Sequence, residues 1–378
     1  MIQNYSYKYR IYPTKIQEEL LSKHFGANRF IWNYFLNERK EYYLKNKEEI
    51  EAKRIKGNIN YYDNCKELTL MKEKEDYKWL KEINSQSLQC TLKHLDSAYN
   101  DFFRKTKRFP QYKSKHNKQS FTNPQWFKLE NNKIYIRKFT EGINVKIDKR
   151  KFEGKFIKAT ISKNCSNQYF IAIIVEKEII HKQKIEKQIG IDLGIKDFAV
   201  CSDNTKFENI KTTKKFASKS KYKQRQLSKK KKGSKNKIKE KLKVSKIHNK
   251  ISNIRNNYLH QISSKVIDEN QVIVLEDLHV KGMMRNHKLA KSIADCAWST
   301  FVDQLQYKAK WSDRSIIFID RFFPSSKTCN HCGFIKQDLL LSNREWNCPQ
   351  CNALIDRDLN AARNILQQGL LLKQTAVG

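Results

Sequence analysis

Long apolar runs are missing from this chain of 378 residues: none approaches the roughly 20 residues that a membrane-spanning helix needs. The stretch Met1 to Arg10 is polar and aromatic, without the apolar centre of a signal peptide, so a cytoplasmic protein is expected. Acidic residues are also in short supply. Against 76 Lys and Arg stand 39 Asp and Glu, a formal net charge of +37. Self-repulsion on that scale calls for a polyanionic partner. An anionic membrane is the competing partner, but no basic amphipathic helix stands apart from the rest of the pattern, so nucleic acid is expected and a membrane is not. Internal repeats are absent as well. What is present is enough apolar sequence, 39%, to build true cores, which excludes a disordered polycation. The length suits two or three domains. Of nine cysteines, Cys65, Cys90, Cys165, Cys201 and Cys296 are scattered and read as reduced core or surface residues.

Near the start, Tyr5, Tyr7, Tyr9 and Ile11 alternate with Ser6, Lys8 and Arg10, the period of a strand with one aromatic face. Pro13 and Thr14, with Gln17 three residues on, predict a capped helix start. That helix is expected to end near Gly26. A second follows from Ala27 with Phe30, Ile31, Tyr34 and Phe35, and a third from about Ser85 with Leu88, Leu92, Leu95, Tyr99 and Phe102 on one face. Residues 14–107 thus read as a helical unit. It is either a plain bundle or, given Arg104, Lys105, Lys107 and Arg108 at its exit, one that also touches phosphate. From Phe121 to Glu176 short strands take over. Ile134 and Ile136, then Ile143, Val145 and Ile147, alternate with polar residues; Tyr169 to Val175 is continuously apolar; Asn131-Asn132 and Asn164 to Asn167 mark turns. A small β-barrel is expected, joined by the first strand. Residues 186–212 predict a hairpin and a third strand. From 213 to about 267 a Lys-rich segment, densest at Lys229 to Lys232, passes into a helical stripe at Ile251, Ile254, Tyr258 and Ile262. Such a run is either a solvated face or a helix that tracks phosphate.

Three acids stand out by position. Asp192 follows Ile189 and Ile191 at the end of a strand in IGIDLGIKDFAV, Glu276 closes the buried strand of VIVLEDL, and the string from Asp356 to Ala362 opens a last helix. Between the last two lie a helix from about Asp295, carrying Trp298, Phe301, Val302 and Leu305, and a strand over Ile316 to Ile319. Acids at two strand ends and a helix start can converge on one point. Phosphodiester hydrolysis by two Mg²⁺ ions about 4 Å apart needs such hard oxygen ligands, one ion activating water and the other stabilising the leaving oxygen. Mn²⁺ is the natural substitute. Asp197 and Asp277, each a step from a stronger candidate, are runners-up. Spacing leaves Asp356 and Asp358 open as the third acid, since Asp356 also suits a helix cap.

Cys329 and Cys332 form one CxxC pair and Cys348 and Cys351 another, with fifteen residues between them. Four thiolates from two tight turns suit one tetrahedral, structural Zn²⁺, and a reducing cytoplasm disfavours disulfides. Gly333 supports the first turn, and His331 is expected to be exposed rather than a ligand.

These strings together resemble the transposon-encoded TnpB family, also called OrfB-type transposases. The likeness is carried by YKYRIYPTKIQEELL, by QSLQCTLKHLDSAYNDFFR with RFPQYKSK, by GIDLGIK and VLEDL, and by PSSKTCNHCG and WNCPQCNALIDRDLNAARNIL. It covers nearly the whole chain. It implies an RNA-guided DNA endonuclease related to compact type V CRISPR effectors, with a guide RNA from the transposon end and double-stranded target DNA beside a short adjacent motif. The family places its last acid in the D-x-N-A-A string, so the resemblance selects Asp358 to join Asp192 and Glu276 as the nuclease triad. The expected fold is α+β and multidomain. A wedge β-barrel takes 1–13 and 120–185, a helical recognition domain 14–119, and an RNase H-like (RuvC) α/β nuclease domain 186–325 and 355–368. A zinc ribbon is inserted at 326–354, and 369–378 form a tail. A prokaryotic, nucleoid-associated monomer is favoured. Guide pairing would read sequence while the protein supplies charge, shape and metal chemistry. The competing readings are a guide-independent transposase nuclease using the same acids, an RNA-guided DNA-binding regulator, and a zinc-ribbon module without catalysis.

Overall fold

The alternation at the N-terminus builds a strand, β1 (Ile2–Tyr12), in which Tyr7, Tyr9 and Ile11 are buried and their neighbours exposed. The structure is a computed structural model and describes residues 2–52, 59–116, 118–147, 152–178, 182–340 and 342–375. Thr14 caps the following helix as expected: its hydroxyl accepts from the Gln17 amide, and the Gln17 side chain accepts from the Thr14 amide. That helix, α1 (Lys15–Lys45), does not stop at Gly26. Leu21 and Phe25 pack into a sheet core, whereas Ala27, Ile31, Phe35 and Leu36 pack into a helical one. The apolar stripe changes partner at Gly26, and that change imitates a boundary in the sequence.

The chain forms two compact units, Met1–Glu178 and Ile179–Gly378. The first adds α2 (Lys47–Glu51), α3 (Tyr61–Met71), a 3₁₀ turn at Glu75–Glu82, and α4 (Ser85–Phe103). Leu88, Leu92 and Leu95 of α4 meet Ile31, Phe35 and Leu68 in the helical core, as the 3.6-residue period predicts. Strands β2 (Gln119–Asn123), β3 (Phe127–Glu130), β4 (Lys133–Ile136), β5 (Phe139–Lys146), β6 (Lys155–Lys163) and β7 (Tyr169–Glu178) follow. With β1 they form one antiparallel sheet in the order β2-β6-β7-β1-β5-β4-β3. The first strand joins between β7 and β5, and Asn131 and Asn132, both at positive φ, make the two-residue turn between β3 and β4. In this sheet, where a small barrel is expected, the end strands β2 and β3 are not hydrogen-bonded to each other among the described residues. Stacking of Phe127 on Phe156, centroids 4.9 Å apart, brings β3 against β6, the neighbour of β2, without a hydrogen-bonded seam.

The second unit is built on a five-stranded sheet, β10-β9-β8-β11-β12, made of β8 (Gln188–Leu193), β9 (Asp197–Cys201), β10 (Lys206–Glu208), β11 (Val272–Glu276) and β12 (Ser315–Ile319). Strands β8, β9 and β10 pair antiparallel, while β8, β11 and β12 run parallel. Between β10 and β11 lie α5 (Thr212–Lys215), α6 (Ala217–Ser228) and α7 (Lys235–Glu269). The apolar stripe of α7 continues through Leu259, Ile262 and Val266, which pack with Phe301 and Leu305. Between β11 and β12 lie α8 (Val280–Met283), α9 (Ala290–Cys296) and α10 (Trp298–Ser312). The helix expected from about Asp295 is α10, which starts at Trp298 because Ala297 adopts φ +53 and separates it from α9. Two short strands, β13 (Glu345–Asn347) and β14 (Leu354–Asp356), precede α11 (Arg357–Thr375).

Helix α11 lies directly on β8 and β11. A Cβ on Gly190 would come within 2.2 Å of the Ala362 carbonyl oxygen, and one on Gly369 within 2.3 Å of a Val274 methyl, so only glycine permits the approach. The residues expected as a tail from 369 therefore belong to this helix as far as Thr375, and 376–378 lie outside the described residues. No helix among the described residues is long and apolar enough to cross a membrane. The five scattered cysteines are free; Cys201 and Cys296 are buried.

Candidate active site and metal centre

Strands β8 and β11 pair in parallel with Ile191 opposite Leu275, so Asp192 and Glu276 come next, side by side at the two strand ends. Adjacent strands lie about 4.8 Å apart. Ile189, Ile191, Ile273 and Leu275 fill the core on one face. By strand alternation Gly190, Asp192, Val274 and Glu276 belong to the other face, which α11 covers. The first turn of α11 carries Asp358. Two strand ends and one helix start thus deliver three acids to one region.

The electrostatics agree. Burial, then the charges of Glu276 and Asp358, push the Asp192 carboxyl up to about 7, against the opposing pull of Arg357 and Arg344. Burial also raises Glu276, and a hydrogen bond donated by the Ser325 hydroxyl eases that shift. Arg344 Nη1 stands 3.3 Å from Asp358 Oδ2. The three acids do not form a tight cage for one ion. Among the described residues, the four clustered cysteines are the group whose ligand atoms all lie within 4.8 Å of one another. A looser trio is what like charges adopt, and a pair of ions about 4 Å apart needs the wider spacing.

The acids that spacing left open have different partners. Asp356 is occupied as a helix cap, accepting from the amides of Asp358 and Leu359 at 3.0 and 3.1 Å and from Lys206 Nζ at 3.0 Å. Burial works against its charge, but the Leu359 amide and Lys206 hold its carboxyl below the ordinary value. Asp277 is turned to an ion pair with Arg321. Asp197 opens β9 and adds its charge, with those of Asp356 and Asp358, around Lys206.

The two CxxC turns have the same construction. Gly333 and Asn352, each just after the second cysteine of its pair, sit at positive φ. Their amides donate to the carbonyls of Cys329 and Cys348, both at 2.9 Å. In turn the amides of Cys329 and Cys348 donate to Phe334 and Ala353 at 2.8 and 3.0 Å. Cys329 Sγ is 3.7 Å from Cys351 Sγ, and Cys332 Sγ is 3.5 Å from Cys348 Sγ. Zn–S bonds of about 2.3 Å in a tetrahedron put sulfurs roughly 3.8 Å apart. The four cysteines therefore form a site that could bind zinc, and the exposed His331 lies outside it. Leu339, Trp346 and Ile355 supply a small core beneath.

A set of residues that sequence patterning did not single out ties the cysteine cluster to α11. The buried Asn364 donates to the carbonyls of Ser325 at 2.8 Å and Thr328 at 2.6 Å. The buried Asn360 donates to Thr328 O at 2.7 Å and accepts from the Asn330 amide at 2.9 Å. Asn360 and Asn364 stand one turn apart, so one helix face clamps Ser325 to Asn330, the segment that runs into the first knuckle and carries the hydroxyl on Glu276. The available signal was the N-x-x-x-N spacing inside the last helix. Arg344 and Lys206 had none.

Comparison with known proteins follows the same outline. A family model of OrfB type described as "Probable transposase" matches residues 172–287. One described as "Cas12f1-like, TNB domain" matches 298–365, and a "Helix-turn-helix domain" of OrfB type matches 1–48, where the structure has β1 and the uninterrupted α1. A protein of Streptomyces pristinaespiralis, provisionally named RNA-guided DNA endonuclease, is 35% identical over 97% of this chain and 89% of its own length. The similarly named InsQ of Escherichia coli K12 is 32% identical over 96% and 92%. A Cas12f1 chain, solved by cryo-EM with single guide RNA and target DNA, shares the fold at a TM-score of 0.51 and 13% identity, covering 96% of this chain and 98% of that one. With full-length relatives above 30% identity and the matching motifs in place, the chain belongs to the transposon-encoded TnpB family of OrfB-type transposases.

Proposed function

We propose that this protein is an RNA-guided DNA endonuclease that cuts guide-matched DNA beside a short adjacent motif. The observation that carries the reading is the convergence of Asp192, Glu276 and Asp358 at the ends of β8 and β11 and the start of α11, with Asp192 pushed up to about 7 by burial and by the other two. A buried carboxylate with two like charges beside it is an incomplete site, and divalent cations are the missing charge. The donor set is hard oxygen, which fits Mg²⁺. Bound there, Mg²⁺ would activate water and stabilise the leaving oxygen at the scissile phosphate. The chain's own residues supply the rest. Ser325 holds Glu276 by one oxygen, and Asn360 and Asn364 fix the segment that carries Ser325. Arg344 neutralises Asp358 and, with Lys206 nearby, offers positive charge to a phosphate. Zn²⁺ on Cys329, Cys332, Cys348 and Cys351 would have a structural role, since no open ligand position is built into the cluster.

The relatives' names and the complex in which the Cas12f1 neighbour was solved support guide RNA and target DNA as partners. The first unit would then serve as the recognition and wedge portions that grip RNA and the target-adjacent duplex. The test is Asp192→Ala, Glu276→Ala and Asp358→Ala, each assayed for cleavage and for binding of a matched duplex in Mg²⁺. Cleavage should vanish in all three while binding persists. Full activity in any one removes that residue from the site.

A further inference from the structure

We infer that the helical hairpin of α6 and the first half of α7 is the surface that grips a double-helical stem of the guide RNA. The inference rests on the RNA-guided reading above and adds where on the chain the RNA is held.

The charge is concentrated there. Residues 217–250 contain fifteen Lys and Arg and one acid, Glu240, a net charge of +14 that is more than a third of the whole chain's +37. Glu240 is paired with Lys243 at 2.6 Å. Lys229, Lys231, Lys232, Lys235, Lys239 and Lys241 stand exposed, and no ion pair to any of them is found among the described residues. An ordinary solvated helix face alternates its signs, whereas this one does not.

The density of that charge points to a duplex. Residues 235–250 of α7 extend about 24 Å at 1.5 Å per residue, with α6 folded back beside them. A net +14 over that length is one charge per roughly 1.7 Å, on the scale of a duplex with both strands counted, which in DNA is about 1.7 Å; a single strand offers about half as many. All but one of the fifteen are lysines, Arg225 being the exception. Lysine presents a point charge rather than a planar fork, so the hairpin reads backbone charge and not base sequence.

That indifference to sequence decides between RNA and DNA. A lysine grip on target DNA would hold every duplex equally and swamp the discrimination that guide pairing provides. The same grip on the RNA carries no such cost, because the RNA stays bound while targets are sampled.

The test uses the full-length protein, a 20-base-pair RNA duplex of arbitrary sequence and a DNA duplex of the same sequence. Lys231, Lys232, Lys235 and Lys239 are changed together to Gln, which keeps helix propensity. A control changes the exposed Lys281, Lys288, Lys310 and Lys373 to Gln, for the same loss of charge. Kd is measured across a KCl series, Tm verifies folding, and copurifying RNA is quantified. The hairpin variant should show a slope of log Kd against log salt shallower by about 3 on the RNA duplex, from roughly 0.7–0.9 per lost phosphate contact. The control slope should match the parent's, the DNA duplex should respond no more than the RNA duplex, and the hairpin variant should carry less RNA. An unchanged hairpin slope, or an equal drop in the control, overturns the proposal. So does a larger effect on DNA than on RNA. If the parent carries a discrete RNA that the hairpin variant retains in full with an unchanged slope, this surface is wrong and the guide reading stands. If the parent carries no discrete RNA, the guide reading fails and takes the assignment with it.

Discussion

Replacing Asp192 with Asn should stabilise the metal-free protein while abolishing cleavage. Its carboxyl is pushed from 3.8 up to about 7 by burial and by Glu276 and Asp358. A group whose folded value lies above its unfolded one contributes its full stability below about pH 4 and loses it as pH rises through about 7. Near three units, at 1.36 kcal/mol each, is roughly 4 kcal/mol by pH 8. Part of the side chain remains open to solvent, which brings the figure to about 2–4 kcal/mol. Asn keeps the shape and removes the charge. For a unit of this size each kcal/mol moves Tm by about 2–4 °C, so Asp192→Asn should melt roughly 4–16 °C higher than the parent at pH 8 in EDTA. The gap should narrow toward pH 5, and millimolar Mg²⁺ should raise the parent's Tm but not the variant's. Thermal unfolding from pH 5 to 8, with and without Mg²⁺, measures all three effects. A variant no more stable than the parent at pH 8 would mean that Asp192 has a neutralising partner within the chain and is not a strained charge.

Asp356→Ala should cost about 1 kcal/mol through the lost helix cap and leave cleavage within a few-fold. Asp358→Ala should lower cleavage by at least about 10³-fold with little change in Tm, and the reverse pattern would exchange their roles. Cys348→Ser should reduce bound zinc from one per chain to none and lower Tm; unchanged zinc stoichiometry by elemental analysis would refute the four-cysteine site. Asn364→Ala removes two buried hydrogen bonds to the segment that carries Ser325, so it should cost about 2–3 kcal/mol and slow cleavage without altering zinc content. Cleavage at the parent rate would mean that this segment does not position Glu276.

Patterns that depend on one element were legible in the sequence. The alternation at Tyr5 to Ile11 is β1, the Thr14–Gln17 pair is a capping box, and Asn131-Asn132 is a two-residue turn. That Asp192 and Glu276 each end a buried strand was also legible, because each follows a short apolar run; that the two strands pair side by side in parallel was not. What was not legible depends on partners distant in the chain. Gly26 looked like a helix end because the stripe on α1 changes core there. Whether β2 and β3, the ends of the seven-stranded sheet, pair with each other is a tertiary matter that strand period does not encode. Ala297 at φ +53 carries no residue signature, since alanine rarely adopts that conformation. Ser325 and Arg344 gain their places beside Glu276 and Asp358 only when the chain between β12 and α11 folds back onto the sheet.

On the proposed function, sequence specificity comes from an RNA and not from the protein. The most direct measurement is to produce the protein with its flanking transposon DNA, sequence the RNA that copurifies, and replace that RNA's target-matching segment with a new one. In Mg²⁺ the cut should move to the DNA that matches the new segment, and Asp192→Ala should make no cut at either site. Cutting that stays at the original site, or that proceeds equally without RNA, would mean a guide-independent nuclease.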